Sequence, residues 1–370
     1  MRTALAFFIY TKGDFMDIKQ TNLKLNSFLD EIREDEPGAI LMAEFDNGQS
    51  FLAKKGLANV NDGIEIDENS VFDLASVSKQ FTATCLYILQ SRNQLSVEDY
   101  LREHLPELPD YTQEIKIINL INHTSGIPDY INIATDLGIE FTDYLDNEKT
   151  LKILSEKKSP EFQPGSKFSY SNSNYLLLSL IVERVSGKPI SRFANDNIFS
   201  PLGMNKTFYN ECYPLLTPTV QGYYRESSEK NYLPTQCIWT QTGDGAVFSS
   251  VSDLIKWGRN LSLNTKLPSD VVENLLTPMP EKFLDKLVEN YTPYSAGLSV
   301  QEDFDQKSAL HSGGWIGFCA FFVRHLESGL TLAVLSNRED YNPGYVAYRA
   351  SELLLNKHLG LYEQQKDLGY

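Results

Sequence analysis

Two kinds of hydrophobic spacing divide this 370-residue chain. In "NLKLNSFLDEI" the apolar residues Leu25, Phe28, Leu29 and Ile32 recur at helical intervals, which predicts an amphipathic helix near the start. The next segments, "GAILMAEFD" and "SFLAKKGLA", are short apolar runs joined by Asp46-Asn47-Gly48, a strong hairpin signal. The far end mirrors them: "FCAFFVRHL" and "LTLAVLSN" flank Glu327-Ser328-Gly329, and the helix-like "YVAYRASELLLNKHL" follows. Between the ends the pattern turns helical, as in "YLLLSLIVERVSG", which stops at Gly187, and "VSDLIKWGRNL".

Strands at both ends around a helical middle predict a single antiparallel sheet built from both chain ends. The expected fold class is α+β, a three-layer α/β/α type with helices flanking the sheet and a largely helical inserted lobe. On this reading residues 1–20 are an extension and 21–360 one two-lobed unit. Within that unit 21–90 and 285–360 form the α/β lobe and 91–284 the helical lobe, with 361–370 a tail. A cleft is expected where the lobes meet.

Composition narrows the function. Hydrophobic residues at 42% and charged residues at 22% are ordinary for a globular chain. The net charge of −16 argues against nucleic acid or an anionic membrane as partner, since either calls for a basic face. Cys85, Cys212, Cys237 and Cys319 form no Cys-x-x-Cys pair and the five histidines no His-Glu-x-x-His, so the sequence shows no zinc site and metal catalysis has no visible support. "MRTALAFFIYTKGDF" is a poor secretion signal, which favours a cytoplasmic over a periplasmic or secreted location, and no apolar run is long enough to span a membrane.

Candidate chemistry begins with Ser-x-x-Lys, which occurs at Ser76/Lys79, Ser155/Lys158 and Ser227/Lys230. The last two lie in polar, loop-like or fraying stretches. Ser76 instead precedes the apolar stripe of a helix, where free N–H groups favour developing negative charge. Lys79 is one turn further on, within reach of the serine oxygen as a proton acceptor. The plainer reading is a helix N-cap beside a solvated lysine. A second group, Tyr170-Ser171-Asn172, follows a Pro164-Gly165 turn and opens a long apolar helix. A tyrosine beside an ammonium can carry protons, and an amide two residues on can orient a carbonyl or the lysine. Tyr130-Ile131-Asn132 repeats this pattern. Third, His311-Ser312-Gly313-Gly314 reads as a strand edge whose glycines allow close backbone approach. The N–H of Gly314 could pair with that of Ser76 as an oxyanion hole.

With their flanks and in this order, "FDLASVSKQFTA", "LINHTSGIPDY", "FQPGSKFSYSNSNYLLLSLIVERVSGKP", "IFSPLGMNKTFY", "GDGAVFSSVSDLIKWG" and "LHSGGWIGF" resemble one family. It is the serine β-lactamase and penicillin-binding-protein superfamily, in its class C-like branch of β-lactamases, DD-peptidases, D-aminopeptidases and esterases. The resemblance covers roughly residues 20 to 355. It implies that Ser76 is the acylated nucleophile, Lys79 its proton partner, Tyr170 the general base and Asn172 a contact for the substrate amide. His311 takes the first position of the branch's Lys-Thr-Gly motif, and Gly313 and Gly314 line the substrate strand.

The implied reaction is two-step acyl transfer to water without metal or cofactor. A histidine at 311 supplies little positive charge at pH 7 for the carboxylate of a β-lactam. The expected substrates are therefore small esters or amides. A DD-peptidase or D-aminopeptidase acting on cell-wall-type peptides, a weak β-lactamase and a silent scaffold are the alternatives. Asp244, between two glycines, either binds a substrate amine or holds its own turn, and the turn is the favoured reading. Trp315 either lines an acyl pocket or belongs to the core.

Overall fold

The computed structural model describes residues 17–214, 219–228, 230–262, 266–280 and 293–357. Most of the expected extension, the expected lobe boundary at 284/285 and the whole 361–370 tail lie outside the described residues.

The first helix, Ile18–Asn26, is capped by Asp17, whose carboxylate accepts the N–H groups of Lys19 and Gln20. It ends earlier than the apolar spacing predicts and passes into a 3-10 turn, Ser27–Leu29. Tertiary contacts account for the change. Asn22 and Asn26 accept the N–H groups of Leu52 and Lys54 at 3.2 Å each, which ties the helix to the sheet's outer strand and covers its free donors.

Among the described residues the main sheet has six antiparallel strands in the order Ser299–Asp303, Gln306–Trp315, Phe318–His325, Leu330–Ser336, Ala39–Phe45, Ser50–Lys55. The two chain ends meet at its centre, with Ala39 opposite Ser336 and Phe45 opposite Leu330. The expected hairpins are present, with Gly48 and Gly329 at φ +87° and +69°. The two turns are also fastened together: buried Arg324 donates to the Asp46 carboxylate at 2.7 and 2.9 Å and to the Gly329 carbonyl at 2.7 Å.

Alternate residues of each strand enter different cores. Leu41, Val323 and Val334 pack with the helices Ile18–Asn26 and Pro343–Leu355, whereas Ile40, Phe322 and Leu335 face Lys79–Ser91 and Val251–Arg259. A sheet covered on both faces makes three layers. The register also sends Ala309, and by alternation His311 and Gly313, toward the helical side.

The inserted region is less uniformly helical than its pattern suggests. Its strands Val247–Ser249 and Phe208–Tyr209 join Phe72–Asp73 of the first lobe in a small sheet, and it contains a hairpin of Tyr223–Tyr224 with Leu233–Pro234. "VFDLA" supplies only two strand residues, paired with Ser249 and Phe248, because the backbone turns left-handed at Ala75, φ +48°. This small sheet brings residues 73–79 against 244–249.

Candidate active site

Ser76 lies in a 3-10 turn, Ala75–Ser78, that feeds the helix Lys79–Ser91. A left-handed alanine just before it is a strained arrangement. It is held by the Ala75 N–H, which donates to Asp73 Oδ1 at 2.8 Å. The strand Gln306–Trp315 presses against this turn. A Cβ on Gly313 would lie 2.3 Å from the Leu74 oxygen and 3.2 Å from the Ser76 nitrogen, so only glycine permits the approach. Gly314 has open space where a Cβ would be and lines the cleft with Ser76.

Lys79 is fully buried, and its ammonium meets three acceptors: Ser76 Oγ at 3.0 Å, Asn172 Oδ1 at 2.9 Å and the Asp244 carbonyl at 2.6 Å. Asn172 is held in turn by Asp129, whose Oδ2 accepts its backbone N–H at 2.6 Å and its Nδ2 at 3.0 Å, leaving the amide oxygen turned to the lysine. The Lys79 nitrogen lies 4.9 Å from the centre of the Tyr170 ring, and Tyr170 is 39% exposed.

Behind Tyr170 is His123, fully buried, its ring stacked on the tyrosine at 4.3 Å and 28°. Ser125 donates to Asn174 Oδ1, which turns the Asn174 amide nitrogen to His123 Nδ1. The Ser171 N–H donates to the same ring nitrogen, so the proton of the neutral ring sits on Nε2, an atom with no hydrogen-bond partner among the described residues. Burial first, then the charge of Lys79, holds this imidazole's pKa well below its ordinary value. His311 Nδ1 donates to the Ser312 carbonyl, and Nε2 accepts from the Tyr294 hydroxyl at 3.3 Å. Burial and then Lys79 lower its pKa to about 4, so it is neutral at pH 7.

On the other side of Ser76 a cavity of about 630 Å3 opens. Ser76, Asn172, Gly314 and Trp315 line it together with Asp73, Tyr130, Trp239 and Asp244. Trp315 packs on Trp239 and, edge-on, on Phe141, with ring centres 5.9 and 5.5 Å apart, so it is both cavity wall and part of an aromatic cluster. Asp244 Oδ2 accepts the Tyr130 hydroxyl at 2.9 Å. Burial raises the Asp244 pKa to about 6 against the pull of Lys79, Tyr130 and, more weakly, its own amide. The turn-holding reading therefore describes only part of this residue's surroundings. Asp73 rises to about 7, through burial first, with the nearby Asp244 adding to the shift and the Ala75 N–H opposing it.

The structure thus joins Ser76, Lys79, Asn172 and Asp244 directly and places Tyr170, Gly313, Gly314 and Trp315 around them. The other two Ser-x-x-Lys pairs stay outside: Ser155 bonds the Lys152 carbonyl, Lys158 is exposed, and Lys230 pairs with Glu226. Sequence reasoning missed Asp73, His123, Asp129 and Tyr294, and set Tyr130 aside as a mere repeat. Two of these carried a signal: an acid inside the apolar "VFDLA", and an Asp before a helix, since Asp129 caps Tyr130–Asp136. Among the described residues, no group of three or more His, Cys, Asp or Glu could hold a metal ion, and no helix is long and apolar enough to cross a membrane.

Comparison with known proteins places this geometry. A family model described as Beta-lactamase matches residues 25–357. Penicillin-binding protein 4* of Bacillus subtilis (strain 168) is 31% identical over 77% of this chain and 64% of its own length. A D-aminopeptidase of Gluconobacter oxydans (strain 621H) is 26% identical over 84% of this chain and 57% of its own. The chain therefore spans about three fifths of the length of these curated relatives. Among solved structures, an octameric penicillin-binding-protein homologue from Pyrococcus abyssi superposes with a TM-score of 0.80 at 24% identity, over 95% of this chain and 81% of that one. A D-amino acid amidase from Ochrobactrum anthropi SV3, in complex with D-phenylalanine, gives 0.76 at 19%, over 91% and 99%. At these identities the structural likeness speaks for the fold.

Proposed function

The chain belongs to the β-lactamase family, and from that premise we propose that it is a serine hydrolase that cleaves small amides, esters or peptides through an acyl-enzyme on Ser76. One observation carries this reading: a fully buried lysine donates to the Ser76 hydroxyl at 3.0 Å while Asn172 and the Asp244 carbonyl fix its direction. A serine on a solvated surface has no such partner.

In the proposed cycle Ser76 Oγ attacks the substrate carbonyl, whose oxygen gains charge against the N–H groups of Ser76 and Gly314. An ammonium and a phenol together offer no acceptor, so the competent Lys79–Tyr170 pair is one proton short. It takes the Ser76 proton and passes it to the leaving group. Water then attacks the ester, yields a proton to the same pair, and Ser76 is restored. His311 contributes shape rather than charge, so a penicillin or cephalosporin carboxylate finds no fixed cation there. The named D-aminopeptidase among the sequence relatives supports amide substrates.

Intact-protein mass spectrometry tests this reading. The protein is mixed separately with a p-nitrophenyl ester, a chromogenic cephalosporin and a D-alanyl peptide, with Ser76→Ala alongside. An acyl adduct and turnover should appear in the wild type and fall by roughly 10⁴-fold or more in the variant. Turnover that survives Ser76→Ala, or a wild type with neither adduct nor turnover on any of the three, would reject the assignment.

A further inference from the structure

The two walls of the cleft differ in a way that fixes how a substrate lies. The leaving group must depart beside the proton donor, and that donor is the Lys79–Tyr170 pair. Tyr170 and His311 are outside the lining of the 630 Å3 cavity, whereas Ser76, Asn172 and Gly314 are on its wall. The cavity therefore receives the acyl half of the substrate.

That half meets two acids. Asp73 and Asp244 are 8% and 7% exposed, and both line the cavity. Tyr130 satisfies Asp244 Oδ2, but Oδ1 is buried without a hydrogen-bond partner among the described residues. The Lys79 ammonium donates to Ser76, Asn172 and the backbone oxygen of Asp244, and to neither carboxylate. Keeping a buried carboxylate oxygen unpartnered beside a second acid costs free energy that a bound cation would offset. The opposite wall presents a neutral imidazole and the tyrosines Tyr170 and Tyr294.

We propose that Asp73 and Asp244 form a subsite for a protonated amine on the acyl half of the substrate, and that Trp239 and Trp315 flank its side chain. The preferred substrates are then amides and peptides with a free amino terminus, from which the first residue is released, rather than peptides trimmed at the carboxyl end. This rests on the acyl-enzyme reading above. The Ser76 Oγ–carbonyl bond forms as the bond to the leaving nitrogen breaks, and that nitrogen departs with the serine proton. Water then cleaves the ester and releases the free amino acid.

The test compares D-phenylalanine p-nitroanilide with 3-phenylpropionyl p-nitroanilide, which lacks only the amine, at pH 7. The wild type should favour the amine-bearing anilide by roughly 100-fold in kcat/KM. That ratio should fall toward one in Asp244→Asn, and part of the way in Asp73→Asn. A wild-type ratio of one or less overturns the proposal whether or not the variants fold, and so does a ratio that both folded variants leave intact. The p-nitrophenyl ester of 3-phenylpropionate separates the two levels. If Ser76-dependent ester turnover persists while the ratio is one, the amine subsite fails and the hydrolase reading stands. If the ester gives neither turnover nor adduct, both fall.

Discussion

The two sides of Ser76 are built from opposite materials and changed by the same force. On one side Tyr170, Tyr294, His123 and His311 crowd around Lys79; on the other Asp73 and Asp244 line a cavity. Burial disfavours charge on both sides, so it pushes the imidazoles down and the carboxyls up. The outcomes differ. His311, at about 4, is neutral across the physiological range, while the acids, at about 6 and 7, titrate within it. The ring side is thus a fixed, uncharged mould for a proton-carrying pair, and the acid side is where charge can respond to a ligand.

The largest expected break in this comparison is Tyr170→Phe. It keeps the ring stacked on His123 and removes only the hydroxyl, so kcat should fall roughly 10³-fold with KM changed little. Steady-state kinetics on the ester decide it, and a kcat within threefold of wild type would move the proton work to Lys79 alone.

A smaller effect is expected at His123, which we regard as a positioning residue because it reaches the reaction only through Tyr170. His123→Asn is the suitable change, since asparagine tolerates the left-handed backbone found there at φ +54°. The expected result is a roughly tenfold fall in kcat with KM nearly constant, the sign of a loosely held base. A lower melting temperature with unchanged kcat would make His123 structural only.

The smallest effect concerns stability. The folded-state pKa of Asp73 is raised from 3.8 to about 7, so the native protein holds that proton more tightly than the unfolded chain. Native stability is therefore lost as pH rises from about 4 to about 7, and the loss is complete above that window. Asp73→Asn does not ionise and should melt a few degrees higher than wild type, about 2–5 °C, at pH 8, with no difference at pH 4. Thermal melts at the two pH values check the sign, and an equal or lower variant Tm at pH 8 would show that Asp73 is not strained by burial.

Much of the fold was legible because its signals are local. Asp46-Asn47-Gly48 and Glu327-Ser328-Gly329 needed only turn chemistry to mark hairpins, and Gly187 ends its helix in the left-handed conformation that a C-terminal glycine supplies. The proposed nucleophile was legible because an apolar helix follows Ser76 and Lys79, whereas polar stretches surround the other two pairs. Local patterns misled where long-range partners intervened. The first helix stops at Asn26 because its asparagines serve a strand, and the apparent strand at "VFDLA" is cut short by the turn that presents Ser76.

Local pattern sufficed for the alternating strands, the helical stripes, the turns and the set of residue types suited to acyl transfer, because all of these depend on neighbours a few positions apart. Long-range packing brings Tyr130 into the site, strengthens the neutrality of His311 through burial, and sets Asp73 and Asp244 on one wall. Those properties depend on which groups 100 or more positions away exclude water or bring charge: Tyr130 reaches Asp244 across 114 residues and Lys79 reaches the same residue across 165. Electrostatic environment is a property of the packed chain, and no local spacing encodes it.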